Sequence, residues 1–205
     1  MGFLNILLVV ASLAVIFVIA YAVRRHTRQQ DEINRRFLEE EEAANSVRKK
    51  EIESELFYTP DLAALPAIPE GDPHSVKRCA KRTMLRLPRP MTNLELKKQY
   101  GLAQMDSIAQ YEENFNEYLK AITAWAGDLA EAGELRDALV LLNEAVSLGS
   151  EFRNSYKLAA DIHVKNRDEI KLQELRFKVT ANHFKDPAVR NHVVEYIDSK
   201  LASEW

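Results

Sequence analysis

Between Phe3 and Val23 the chain reads FLNILLVVASLAVIFVIAYAV, with no charged residue and only Asn5 and Ser12 clearly polar. About 20 apolar residues at roughly 1.5 Å each span a hydrocarbon core of about 30 Å, and a helix satisfies every backbone group internally where no water can. The run predicts a single transmembrane helix at residues 1–23. Helices buried inside globular domains seldom reach this length without a polar face. A cleaved secretory signal is the competing reading, because Ala20-Tyr21-Ala22 has the small-x-small form of a cleavage site. Such a signal carries its positive charge before the apolar stretch, whereas here Met1-Gly2 is uncharged and Arg24, Arg25 and Arg28 follow it. By the positive-inside rule these membrane-flanking arginines hold the following chain in the cytoplasm and leave the N-terminus outside, at a plasma membrane or, in a bacterium, the inner membrane. Gly2 lies in no myristoylation motif, since Ile6 stands where Ser or Thr is needed.

The next stretch, residues 24–56, is rich in Arg, Glu, Gln and Lys and has neither Gly nor Pro, so propensity predicts a charged helical stalk. Ile33, Phe37, Ala44 and Val47 keep a rough heptad register that Glu40 and Glu51 interrupt. That pattern fits a solvated spacer of up to about 50 Å better than a sustained coiled coil. Residues 57–91 hold Pro60, Pro66, Pro69, Pro73, Pro88 and Pro90, a density that forbids continuous helix and reads as an extended or irregular linker. Within it Lys77, Arg78, Lys81, Arg82, Arg86 and Arg89 alternate with Val76, Met84, Leu85 and Leu87. Two readings stand: contact with anionic lipid or an acidic partner, or a solubilising linker whose few apolar residues pack on the domain.

Residues 92–205 read as an all-α domain of antiparallel helical hairpins. Thr92 and Glu95 form a capping-box pattern ahead of a short helix that stops near Gly101. Tyr111, Phe115, Tyr118, Leu119, Ile122, Trp125, Ala126 and Leu129 recur at three- and four-residue steps along a long amphipathic helix ending near Gly133. Leu135, Ala138, Leu142, Ala145 and Val146 define a second helix closing at Gly149, and Tyr156, Ala159, Ala160 and His163 a third. Leu172, Leu175 and Val179 mark a fourth. Asp186 as N-cap before Pro187 opens a fifth, with Val189, Val193, Tyr196, Ile197 and Leu201 inward. No strand is expected, and the short breaks require neighbouring helices to double back on one another.

From Leu119 to Phe152 the chain resembles the tetratricopeptide family. Trp125 stands at the first-helix Leu position, Ala126 at the Gly and Leu129 at the aromatic. Gly133 matches the turn, Ala138 and Ala145 the small residues of the second helix, and Leu142 its bulky one. In the next unit Leu158, Ala159 and Ile162 fit the first helix, but Asn166 replaces the turn glycine and the small second-helix positions are not kept. The resemblance covers about 1.5 repeats. It implies a groove whose walls include Lys120 and Thr123 from one unit and Asn154, Lys157 and Asp161 from the other, suited to a peptide or helix of an unidentified protein. The alternative for these five is an ordinary solvated helix face.

No catalytic constellation appears. The sequence has no phosphate-binding glycine loop, no nucleophile elbow and no His-Glu-x-x-His helix. His183 and His192 approach across the turn at Pro187 without a third ligand, so neither metal nor cofactor is expected. Cys79 is the only cysteine, which rules out an internal disulfide, and its basic neighbours favour a lowered thiol pKa, but a linker supplies no base. A net charge of −3 and the lack of aromatic-interleaved basic surface speak against nucleic acid. The function expected is a single-pass membrane adaptor or scaffold, not an enzyme. The alternatives are an oligomer assembled through the stalk and, behind it, an enzyme with an unrecognised site.

Overall fold

The structure, a computed structural model, describes residues 2–182 and 184–203, with side chains described for all of these except residues 3–16. The chain divides into two compact units, one of Met1–Lys50 with Leu94–Ala103, the other of Glu51–Asn93 with Gln104–Trp205. The fold is mostly helical, as expected, with eight α-helices among the described residues.

In the first unit α1 runs unbroken over Gly2–Asn45, about 65 Å long. Among the described residues no helix is long and apolar enough to cross a membrane. Most of the expected anchor, residues 3–16, lies outside the described side chains, so the anchor is not among the structural findings. The stalk differs from expectation. It is helical only to Asn45, leaving about 33 Å of helix beyond Val23 rather than about 50 Å. Ser46 donates its hydroxyl to the Ala43 carbonyl at 2.7 Å and Val47 N–H bonds back to Ala44, tightening the last turn. Arg48, Lys49 and Lys50 have good helix propensity, but a tertiary contact takes the Lys50 backbone instead. Lys50 N–H donates to the Tyr100 carbonyl at 3.0 Å.

That carbonyl closes α3 (Asn93–Tyr100), which begins and ends where the Thr92/Glu95 pattern and Gly101 placed it. Gly101 has φ +83°, and a Cβ there would lie 2.7 Å from the carbonyl oxygens of both Val47 and Arg48. Lys97 and Lys98 reach back to Glu41 and Glu40, each at 2.7 Å. The lower end of the stalk is therefore gripped by α3, with Ala44, Leu96 and Tyr100 buried.

In the second unit, residues 57–91 are not a free linker. Phe57–Tyr58 (β1) pairs antiparallel with Met84–Leu85 (β2), a two-residue ladder that the sequence did not signal. Val76–Ala80 (α2) lies between them, and Val76, Cys79 and Met84 belong to the main core. Proline excludes a helix from this stretch but does not prevent a packed, irregular strap. The remaining elements are α4 (Met105–Glu131), α5 (Leu135–Ser147), α6 (Arg153–Lys165), α7 (Glu169–Ala181) and α8 (Pro187–Ser203). Each packs on the next, and α6 also meets α4 and α8. Most of the expected inward residues form the core, with Trp125, Tyr118 and Tyr156 fully enclosed, whereas Tyr111 and Val189 are only partly buried and lie outside it. The strap covers α4. Tyr58 packs on Phe115 with ring centroids 5.6 Å apart, Asn114 Nδ2 donates to Thr83 O at 2.9 Å, and Tyr58 OH donates to Glu144 of α5.

Three helices end alike. Glu134, Ser150 and Asp168 N–H bond to Leu129, Ala145 and His163 carbonyls, while Gly133, Gly149 and Arg167 N–H bond to Ala130, Val146 and Val164. This is the Schellman arrangement, which needs a left-handed residue just past the cap. Glycine fills it twice. At the third end Arg167 does so with φ +53°, so the position matching the turn glycine is Arg167, not Asn166.

Candidate functional site

A groove of about 780 Å³ lies between α4 and α6. On α4 the three- and four-residue steps bring Lys120, Thr123, Ala124 and Gly127 to one face. On α6 the same steps bring Asn154, Lys157, Leu158 and Asp161 to the facing wall, and Glu151, Phe152 and Arg153 of the preceding loop and first turn close one end. All five residues that the tetratricopeptide resemblance singled out thus line one cavity. Ala124, Gly127, Phe152, Arg153 and Leu158 were not singled out, although Gly127 follows Lys120 by seven positions and Leu158 follows Asn154 by four. A Cβ on Gly127 would meet nothing within 4 Å, so this helix-interior glycine leaves room above the floor instead of serving a close packing contact.

Beneath the groove runs an oriented hydroxyl chain. Thr123 donates to the Leu119 carbonyl at 2.7 Å, so the 2.9 Å bond between Thr123 and Ser155 has Ser155 as donor. The 3.2 Å bond between Ser150 and Ser155 then has Ser150 as donor, and Ser150 Oγ accepts Phe152 N–H. Ser150 and Ser155 are wholly buried, and Tyr156 OH donates to the Ser150 carbonyl at 2.6 Å. Burial pushes the Tyr156 phenol up to about 12. Fully satisfied networks of this kind fix the two helices against each other.

The groove's charges are unequally committed. Asp161 accepts from Tyr196 OH at 2.6 Å and lies 3.5 Å from Lys200 Nζ, while Glu151 accepts from Lys185 N–H at 2.8 Å. Lys157 Nζ stands 4.7 Å from the Tyr196 ring centroid and Lys120 Nζ 5.6 Å from that of Phe152, with Glu113 at 3.6 Å. The lining thus holds three cations, Lys120, Arg153 and Lys157, against two acids, Glu151 and Asp161.

The other sequence candidates are dispersed. Arg24, Arg25 and Arg28 are exposed along α1. Lys77, Arg78 and Lys81 are exposed on or just after α2, whereas Arg82 pairs with Glu117 of α4. Burial, the largest effect on Cys79, raises its thiol pKa despite Arg82 and Arg78, reversing the lowering expected from its neighbours. His192 bonds the Ala188 carbonyl of its own helix at 2.9 Å, and His183 lies outside the described residues. Among the described residues no group of His, Cys, Asp and Glu is arranged to hold a metal. No family model, curated protein or solved structure matches the chain.

Proposed function

We propose that this protein is a single-pass membrane adaptor whose tetratricopeptide-like helical unit, on the cytoplasmic side, binds a protein partner in the groove between α4 and α6. The carrying observation is that groove: helix-borne, open, with a small-residue floor, apolar Phe152 and Leu158, and side chains able to hydrogen-bond an extended chain. The reading assigns the protein no catalysis and no cofactor. The anchor is supported by the uncharged run from Phe3 to Val23 and by Phe17, Val18, Ile19, Tyr21 and Val23, which stand exposed on α1 where lipid would cover them.

The test is affinity capture of the full chain from native membranes, compared with Lys120→Glu/Lys157→Glu and with Gly127→Gln, whose side chain enters open space. Loss of the same prey from both variants is expected. Capture unchanged by both variants contradicts the groove. A second reading, an oligomer joined through the stalk, draws on Ile33, Phe37 and Leu38, exposed at 58, 55 and 65% on α1. An oligomeric state unchanged by substituting all three with Glu would end it.

A further inference from the structure

From Pro73 to Leu94 the chain carries six cations and no acid, although the protein as a whole is negative. The fold treats these cations unequally. Arg82 is paired with Glu117, and Arg86 donates to the Ser147 carbonyl at 3.1 Å. Lys77, Arg78 and Lys81 are exposed, and none of their side chains has a hydrogen bond or ion pair among the described residues. They project from α2 and its C-cap, and the opposite face of the helix is fixed by Val76 and Cys79, 1 and 4% exposed in the core. Asp72 further secures α2 by accepting the N–H groups of Val76 and Lys77 at 2.7 and 3.0 Å. A fixed mount thus holds three like charges outward.

We propose that this outer face of α2 rests on an anionic lipid surface. Among the described residues no large apolar side chain from Tyr58 to Gly101 is exposed, and none of the three cations lines the groove between α4 and α6. Specific protein interfaces centre on apolar or aromatic anchors in pockets, whereas a charged bilayer needs only cations held near it. The proximity of a bilayer rests on the anchor reading; the charge complementarity does not.

The test reconstitutes the full chain in vesicles of phosphatidylcholine alone or of equimolar phosphatidylcholine and phosphatidylserine. Acylation of Lys77 and Lys81 by a membrane-impermeant amine reagent is followed by mass spectrometry, with exposed Lys165 as internal standard. Acylation of both lysines relative to Lys165 is expected to slow on the anionic vesicles and to recover in molar salt. Each cation near such a surface contributes about 1 kcal/mol, so Arg78→Gln is expected to weaken the protection about fivefold. Equal rates on the two vesicles overturn the proposal, as does protection by soluble polyglutamate without any effect of phosphatidylserine, which assigns the face to an acidic protein. Failure to float with phosphatidylcholine vesicles overturns the anchor instead, and the lysine comparison on anionic vesicles still decides the proposal.

Discussion

Gly101 is a residue on which two constraints fall together, a positive φ and two carbonyl oxygens 2.7 Å from where a Cβ would sit. Gly101→Ala is expected to loosen α3 from the end of α1 by about 2 kcal/mol or more, read as faster amide exchange at Lys50 and through α3. Arg167 presents the opposite case, a residue with a Cβ at φ +53° in a turn that elsewhere uses glycine. Arg167→Gly is expected to stabilise the second unit by about 1 kcal/mol, read as a higher denaturant midpoint with unchanged slope. His163 is buried, and burial is the main reason its pKa falls below the usual imidazole value. The unfolded chain then binds a proton that the folded chain resists, so stability is full above about pH 6.5 and declines as pH falls from there towards the folded pKa. His163→Leu is expected to flatten the change in urea midpoint between about pH 7 and about pH 5; an unaltered slope would place the dependence elsewhere.

Among elements, the strap of residues 51–93 contributes Val76, Cys79 and Met84 to a core otherwise built by α4 to α8. Val76, Met84 and Leu85 are about 1% exposed, and burying such side chains contributes about 1.5–3 kcal/mol each. A chain of residues 92–205 alone is therefore expected to unfold without a cooperative transition, while residues 51–205 keep one. Cooperative unfolding of the shorter chain would show the strap dispensable. Helices α4 and α5 were legible because each carries one apolar stripe and ends at a glycine, Gly133 or Gly149, and α8 because Asp186-Pro187 opens it, whereas α6 and α7 were legible from their inward residues alone. All five proposed groove contacts sit at helical spacing within α4 or α6, and the tetratricopeptide resemblance is what singled them out. The strap was not, because its contacts are remote: Tyr58 meets Glu144, 86 positions away. The end of the stalk was hidden similarly, since only the distant Tyr100 carbonyl explains why residues 48–50 leave the helix. Gly127 escaped notice because a glycine inside a helix reads locally as a weakness of about 1 kcal/mol, and only the facing wall of α6 shows that it opens space.

At the scale of the whole molecule, the proposed role combines a greasy first helix, a short charged stalk gripped by α3, and a helical unit with one basic-leaning groove. The groove and the α2 face give the helical unit two surfaces of different chemistry, one shaped for a chain and one for a charged plane. Both acquire their proposed meaning if the first helix stays in the bilayer. Alkaline carbonate extraction of native membranes, with the mature N-terminus read by mass spectrometry, tests that directly. A retained anchor leaves the protein in the membrane pellet with the apolar run from Phe3 to Val23 intact. Release into the supernatant, in a form that begins at Val23, contradicts it.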